Sequence, residues 1–545
     1  MTGRLRVVAT VAREPVLARI EVAYLGFNMS EYATWIAMLV FAYGLGGAAA
    51  TGLVSMIQLI PSGLVAPFAA FAGDRFRRDH ALLAGYLLQA ITLAVTAAAL
   101  HADAPVPVIL LAATLTSMTF TITRPTQAAI LPNITHAPED LTAANAVSGL
   151  AENVGTFIGP LVGGILLGLA GPASVFAVFA VVTLVSALLV VRLPIDLAAT
   201  TPVVPLRAVE VLRESFGGFG ALRRERPVLL LVLILSSMIV VLGAMDVLVV
   251  SVAIGLLGLG EGWAGFLYSA FGLGGIAGAL LTVALVGRRR LTPSLAGSGV
   301  LFGLPISVIG VAPAAMTAPL LFAASGVGYS ITTVAGRTLL QRIAPEAVLA
   351  RVFGILEGLG MFALALGSVG SAVLVESLGI QVALVVTGLF VPAILALAWM
   401  RLRALDRDAK APDPEALACI RHLPFFAPLS APAIERIMAE LVRLDVPAGH
   451  VLIREGDPGD LFYVIVEGDV DISQAGVQIA TRHAGDHVGE IALLRDVPRT
   501  ATVTASTPLR LLALGRAPFL EAITGHPRSR ESAEAVAASR MHPKG

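Results

Sequence analysis

Long stretches without a single Asp, Glu, Lys or Arg constrain this chain more than any other feature. They run over residues 32–73, 81–102, 104–123, 291–336 and 377–400. A segment that crosses a bilayer needs about 20 consecutive apolar residues. The run at 291–336 is long enough for two, and Pro313 and Pro319 supply a break between them. Extending this reading along the chain predicts about twelve spans. Composition agrees: 57% of residues are hydrophobic and 14% charged, against about 25% charged in soluble domains, which excludes an ordinary soluble enzyme. The charge is also unevenly spread, with 44 charged residues in the first 410 positions and 30 in the last 135. That asymmetry predicts a membrane front and a soluble back.

The basic residues of the front fall into clusters: up to Arg19; Arg75, Arg77 and Arg78; Arg124; Arg192 to Arg226; Arg288 to Arg290; Arg337, Arg342 and Arg351; and Arg401 to Lys410. The intervening connections near 44–50, 101–107, 169–172, 257–262, 312–319 and 376–380 contain no Lys or Arg. The positive-inside rule then places both termini in the cytoplasm of a cell, inner or plasma, membrane protein. The basic N-terminus precedes no small-residue cleavage site and reads as a cytoplasmic tail rather than a removed signal. A sparse repeat, with Pro138-Glu139 returning as Pro345-Glu346, Ala143 as Ala350 and Gly163 as Gly370, predicts two halves of six spans.

Other classes are excluded by what is missing. The single cysteine, Cys419, rules out a disulfide framework and a cysteine-based metal cluster. The net charge is zero, so overall charge makes no case for nucleic acid. The nine histidines are scattered, and the sequence holds neither a Ser-His-Asp set nor a P-loop, so neither an enzyme nor ATP-driven transport by this chain alone is expected, and no metal is implied.

Two motifs in the front carry a resemblance. Residues 70–78 read AFAGDRFRR, with Asp74, Arg75 and Arg78 in the predicted loop between the second and third spans; residues 155–164 read GTFIGPLVGG, with Gly155, Gly159, Pro160, Gly163 and Gly164 in the predicted fifth span. Over about residues 15–405 the chain resembles the major facilitator superfamily, and the second motif resembles the one its exporters carry. The resemblance implies a gating role for both motifs; Ala70 and Arg77 stand where the family usually has glycine. Physically, glycines four apart allow helices to approach closely, and Pro160 removes a backbone bond and bends the span. Plain helix packing and positive-inside anchoring are the alternative roles.

Carboxylates inside spans are costly and usually face a cavity. Glu31, Glu152, Asp246 and Glu357 lie near mid-span and are the candidates for transport and proton coupling. Glu31 and Glu152 lead, because the resemblance implies that their helices line the cavity. Arg124, read near the cytoplasmic end of the fourth span, pairs in this reading with an acidic neighbour or an anionic substrate, or serves only as an anchor.

After a charged, proline-bearing linker the pattern changes. Residues 461–466 and 470–472 flank Gly468-Asp469 as two strands around a turn, and apolar residues at helical spacing over 431–444 predict a preceding helix. Residues 489–501 read GEIALLRDVPRTA. A short helix from Glu490 or Ile491 would turn free amides, that of Ala492 included, toward an anion. Arg499 offers a two-pronged donor to phosphate oxygens, and Glu490 an acceptor for a sugar hydroxyl. This segment is similar to the phosphate-binding cassette of cyclic nucleotide-binding domains, as are residues 423–426, 455–457 and the glycines Gly449, Gly459, Gly468 and Gly485, so the resemblance covers about 415–525. It implies a ligand site of Gly489, Glu490, Ile491, Ala492, Arg499, Thr500 and Ala501. Thr500 is compatible with cyclic AMP or cyclic GMP, with a lean to the former.

The expected organisation is thus an all-α membrane bundle of twelve transmembrane helices in two six-helix halves, followed by a cytoplasmic α+β domain built on a β-roll. Its boundaries are 1–191 and 228–402 for the halves, 192–227 and 403–414 for linkers, 415–525 for the nucleotide domain, and 526–545 for a tail or lid helix. The expected function is a secondary active transporter, a proton-coupled exporter of a small molecule, regulated by a cyclic nucleotide. The alternatives are a membrane-anchored sensor acting on a protein partner and a lipid or lysophospholipid flippase.

Overall fold

The computed structural model describes residues 14–75, 78–134, 138–191, 193, 226–282, 291–343, 346–408, 414–427, 429, 434, 437–438, 440–524, 529 and 531–536. The N-terminal tail, most of the central connection and Arg288 to Arg290 lie outside them. The chain divides into two compact units, residues 1–407 and 408–545.

The first unit is helical: α1 Pro15–Arg75, α2 Arg78–His101, α3 Val106–Ile134, α4 Pro138–Leu189, α5 Arg226–Val250, α6 Glu261–Leu281, α7 Thr292–Val311, α8 Ala318–Ile343, α9 Glu346–Leu378 and α10 Ile380–Asp408. In hydrocarbon each backbone N–H and C=O must be satisfied within its own segment, which selects helices. Among the described residues ten helices are long and apolar enough to cross a membrane. Two of them are interrupted. The backbone of α1 leaves helical geometry at Gly46 and Gly47, with φ of 63° at Gly47, and that of α4 does so at Gly171, with φ of 73°. Both positions need a left-handed residue that only glycine adopts without strain, and Pro172 withholds the next amide from the helix. Exposed Leu111, Leu188 and Leu397 lie on the outer surface, as a lipid-facing surface requires. The chain is therefore a multi-pass membrane protein.

Helix α4 begins at Pro138 and packs on α1 and α6, while α9 begins at Glu346 and packs on α5 and α1. Arg19 closes the end of α4, donating to the carbonyls of Leu189 at 2.7 Å and Val191 at 2.9 Å. A π-helical turn, Ser251–Leu256, extends α5.

Three local readings change. Residues 70–75, read as loop, are the last turns of α1. Helix α10 continues to Asp408, so the first residues of the expected 403–414 linker are helical, with the Arg403 guanidinium 4.5 Å from the Trp399 ring one turn back. In the segment read as a helix over 431–444, helical residues give way to a strand at Val442. Alternating burial against a partner strand overrides helical periodicity there.

Among its described residues the second unit has α11 Pro414–His422 and eight strands: β1 Val442–Val446, β2 Val451–Ile453, β3 Leu461–Glu467, β4 Val470–Gln474, β5 Val477–Arg482, β6 His487–Val488, β7 Thr502–Ala505 and β8 Leu509–Gly515. They form two antiparallel four-stranded sheets, ordered β1-β8-β3-β6 and β2-β7-β4-β5. Between β6 and β7 lies α12, Glu490–Arg495, and after β8 comes α13, Arg516–Thr524. Phe425, Phe426, Phe462 and Phe519 form one aromatic core under the helices, and the Phe425 ring meets His487 at 5.0 Å. Ala533 of the 531–536 helical stretch is buried in the same core.

Candidate functional site

Two sites emerge, one in each unit. In the first, α1 places Asn28, Glu31 and Trp35 on one face, three and four residues apart. Arg124 of α3 meets this face. Its Nη2 donates to Glu31 Oε2 at 2.6 Å and its Nη1 to Glu152 Oε1 of α4 at 2.5 Å, with Asn28 Oδ1 at 3.4 Å. The guanidinium carbon also sits 5.8 Å from the Phe27 ring centre. The structure thereby joins three residues that the sequence offered separately. Helix α3 continues ten residues beyond Arg124 to Ile134, but its apolar span is Val106–Gln127, so Arg124 lies near the end of the span as expected. The triad is not sealed: side-chain exposures are 27% for Glu31, 35% for Arg124 and 43% for Glu152, so a cleft reaches it.

Deeper in the unit, Asp246 of α5 is 4% exposed and accepts a hydrogen bond from the Trp35 side chain. Glu357 lies on α9, its side chain outside the described residues, as are those of Asp74, Arg75 and Arg78. One charged contact escaped the sequence reading: Ser148 of α4 donates to buried Glu21 of α1 at 2.6 Å. Glu21 stands two residues from Arg19 and reads as part of a surface charge cluster, so only tertiary packing reveals it.

The predicted glycine motif has two faces. Gly155, Gly159 and Gly163 lie against Asn28, Met29 and Ala33 of α1; a Cβ at Gly159 would stand 2.6 Å from the Met29 carbonyl oxygen. Gly164, beside Pro160, faces α6 instead, where a Cβ would stand 2.6 Å from the Gly262 carbonyl oxygen. The segment is therefore clamped between α1 and α6. Gly370, the repeat partner of Gly163, has open space where a Cβ would go.

A separate apolar cavity of about 430 Å³ opens between α1 and α9, lined by Gly52, Leu53, Met56, Ala372 and Val373, with Glu376 at its edge accepting a hydrogen bond from the Ala49 amide at 3.3 Å.

In the second unit the site is built around Arg499, which is 7% exposed. Its Nη1 donates to the Gly489 carbonyl at 2.9 Å and its Nη2 to that of Leu461 at 2.7 Å, so neutral oxygens hold the guanidinium plane. Its main chain is pinned as well: the Arg499 amide donates to Asp457 at 2.8 Å and its carbonyl accepts from Gly456 at 2.9 Å. That locks the 455–457 turn to the cassette. Gly489 has φ of 94° and caps α12; a Cβ there would lie 2.7 Å from Arg499 Nη1. Glycine is required at this position by both conformation and space.

Glu490 and Ala492 are buried at the start of α12, Ile491 and Ala501 are half-buried, and Thr500 is exposed. Burial lowers the Arg499 guanidinium from its ordinary value, an effect that Tyr463, Asp460 and Glu490 offset only in part. A cation left under-compensated beside the amides of a helix start is suited to an anion.

Known proteins align with both halves of this picture. The family model described as Major Facilitator Superfamily matches residues 21–355 and 264–444, and that described as Cyclic nucleotide-binding domain matches 443–526. The cAMP-dependent protein kinase regulatory subunit of Aspergillus niger is 36% identical over 104 residues, 19% of this chain and 25% of that protein. That of Eremothecium gossypii is 48% identical over 73 residues, 13% of this chain and 16% of that protein. This chain thus spans about a quarter or less of these two relatives. Among solved structures, the sensor domain of the transcriptional regulator DNR from Pseudomonas aeruginosa matches with 20% identity and TM-score 0.22, over 24% of this chain and 94% of that one. The chain belongs to the major facilitator superfamily, and a cyclic nucleotide-binding domain follows its membrane part.

Proposed function

We propose that this protein is a proton-coupled secondary active exporter of a small molecule, and that a cyclic nucleotide bound to its C-terminal domain sets the rate of its cycle. The observation that carries the transport reading is the Glu31–Arg124–Glu152 triad, an ion network inside a membrane bundle that a cleft still reaches. Such groups are maintained in a bilayer where they bind a substrate or move a proton. Twelve spans follow if α1 and α4 each cross twice, at the breaks over Gly46-Gly47 and Gly171. Both termini are then cytoplasmic, in agreement with the arginine clusters. Tight glycine contacts between α4 and α6 near the arginine-free connections suit a state closed toward the outside.

The regulatory reading rests on Arg499 and Gly489, with the second unit taken as a β-roll. Cyclic AMP is favoured over cyclic GMP because the relatives are named as cAMP-dependent. Signal passes along the chain through the cytoplasmic end of α10 and the segment that follows. A ligand shifts a transport cycle only as far as it binds the cycle's states with different affinity.

The test is cyclic AMP and cyclic GMP titration into the full-length protein in nanodiscs, followed by pH-gradient-driven flux in liposomes with and without the nucleotide. Binding with a nucleotide-dependent change in proton flux is expected; binding with no flux in any state would leave a membrane-anchored sensor. A second reading, lipid or lysophospholipid flipping, is favoured by the apolar cavity between α1 and α9. Fluorescent lysophospholipid that changes leaflet only in proteoliposomes would establish it.

A further inference from the structure

The seam between α1 and α4 holds one more carboxyl, and the triad does not use it. Glu21 is 4% exposed, and its Oε1 accepts the Ser148 hydroxyl at 2.6 Å. Its Oε2 is buried and has no hydrogen-bond partner among the described residues. No cation among them balances it either. Arg19, two residues earlier, turns its guanidinium to the carbonyls of Leu189 and Val191, and Arg124 is taken by Glu31 and Glu152. Among the described side chains, the other titratable groups at this end of α1 to α4 are Glu14 and Tyr24 of α1 and Asp79, His80 and Tyr86 of α2. The Tyr86 hydroxyl is buried without a hydrogen-bond partner as well, and exposed His80 lies 3.9 Å from Asp79. Away from water a charged carboxylate needs a cation or several donors, whereas a neutral carboxyl needs less. With one donor in Ser148 and a bare second oxygen, Glu21 has the surroundings of a carboxyl that carries its proton on Oε2.

Glu21 is also in line with the triad. On α1, residues 21, 24, 28 and 31 follow at intervals of three, four and three and share one face. On α4, Ser148 and Glu152 are four apart and share another. The two faces meet at two levels, Glu21 with Ser148 and, through Arg124, Glu31 with Glu152. Asn28 occupies the interval: its Nδ2 donates to the Tyr24 carbonyl at 2.8 Å and its Oδ1 stands 3.4 Å from Arg124 Nη2. Along α4 the two levels are one turn, about 6 Å, apart, a gap that a bridging water can span. Beyond Glu21, α1 ends six residues away at Pro15, about 9 Å along its axis.

We infer that Glu21 is the station through which a proton leaves the triad. A proton held by the Glu152 carboxyl passes to a Glu21 carboxylate. Glu152 becomes the carboxylate that pairs with Arg124, and Glu21 becomes the neutral acid bonded to Ser148, which is the arrangement described above. Glu21 then releases the proton at the end of α1 that the arginine clusters place in the cytoplasm. This rests on the proton-coupled reading and adds a residue to it. The plain alternative is a hydrogen bond that merely fastens α1 to α4.

Glu21→Gln separates the two, because glutamine keeps the acceptor for Ser148 and the size of the side chain but cannot carry the proton. Infrared difference spectra of the full-length protein in nanodiscs, recorded across a pH titration in light and heavy water, should show a protonated-carboxyl stretch that Glu21→Gln lacks. Ser148→Ala, which removes the donor to that carbonyl, should move the same band to higher frequency. In proteoliposomes containing a pH-sensitive dye, Glu21→Gln should lower gradient-driven proton flux about tenfold or more and flatten its pH profile, as loss of a proton-transfer group predicts. Glu21→Asp should recover part of the flux. Glu261→Gln, an exposed carboxylate at the start of α6, should change neither readout. A single symmetric elution peak and an unfolding temperature close to that of the unaltered protein show that a variant is folded. If Glu21→Gln does not fold, the band shift in Ser148→Ala decides.

Identical infrared spectra for the unaltered protein and Glu21→Gln, an unmoved band in Ser148→Ala, or full flux with an unchanged pH profile in folded Glu21→Gln would overturn the inference. The two readings fail separately. Flux in the unaltered protein that Glu21→Gln leaves intact removes the relay and keeps the transporter, whereas absence of proton flux from the unaltered protein removes the proton-coupled reading itself.

Discussion

Two arginines among the described residues are used in opposite ways. Arg124 in the membrane unit is matched by the protein itself, with carboxylates on both sides of its guanidinium. Arg499 in the second unit is held in plane by carbonyl oxygens, and burial lowers its pKa in spite of nearby acidic groups. A buried charge supplied with its partners is part of the structure, and removing it leaves the partners unpaired in a poor solvent. A charge that is oriented but under-compensated is prepared for something that arrives. The first should register in stability, the second in affinity.

The sharpest way to break this comparison is Arg499→Ala. Two charge-assisted bonds to phosphate are lost, so cyclic nucleotide affinity should fall about 100-fold or more in calorimetric titration of the full-length protein. Unliganded thermal stability should change by less than about 2 kcal/mol, because only hydrogen bonds to carbonyls are removed. An equal loss of both would make Arg499 structural.

Arg124→Ala should do the reverse. With the site partly accessible, we expect about 2–3 kcal/mol of destabilisation in thermal unfolding and unchanged nucleotide affinity. Adding Glu152→Gln should recover part of it, and a strictly additive double mutant would show that the pair is not coupled. Gly159→Ala comes next: its Cβ would press on Met29 backbone atoms, and overpacking of this kind typically costs about 1–3 kcal/mol, visible as a lowered unfolding temperature. Gly370→Ala, the repeat-related change, meets open space and should be neutral or stabilising by up to about 1 kcal/mol, because alanine is the better helix former. If both glycines respond alike, the two halves use this position in the same way.

The residue types of both sites were legible in the sequence for a common reason. In an apolar span a Glu or Arg is costly, which singled out Glu31, Glu152, Asp246 and Arg124. In the cassette, Gly489, Glu490 and Arg499 lie within eleven residues of one another, so local geometry carries most of the chemistry. What sequence could not supply was partnership at long range. Arg124 and Glu31 are 93 residues apart, and nothing local says that α3 extends far enough to set Arg124 opposite α1. The helix expected over 431–444 ran into β1 because Val442 and Leu444 satisfy helical and strand spacing alike, and pairing with β8 decides between them.

The two-faced packing of the Gly155–Gly164 segment has a consequence for inheritance. Residues that meet a cargo can be exchanged one at a time, each exchange altering which molecule is held. A surface where Gly155 and Gly159 lie on α1 and Gly164 lies on α6 offers no such latitude, because there the smallest possible side chain already collides. The motif therefore fixes how closely α4 approaches α1 and α6, independently of the side chains exchanged elsewhere.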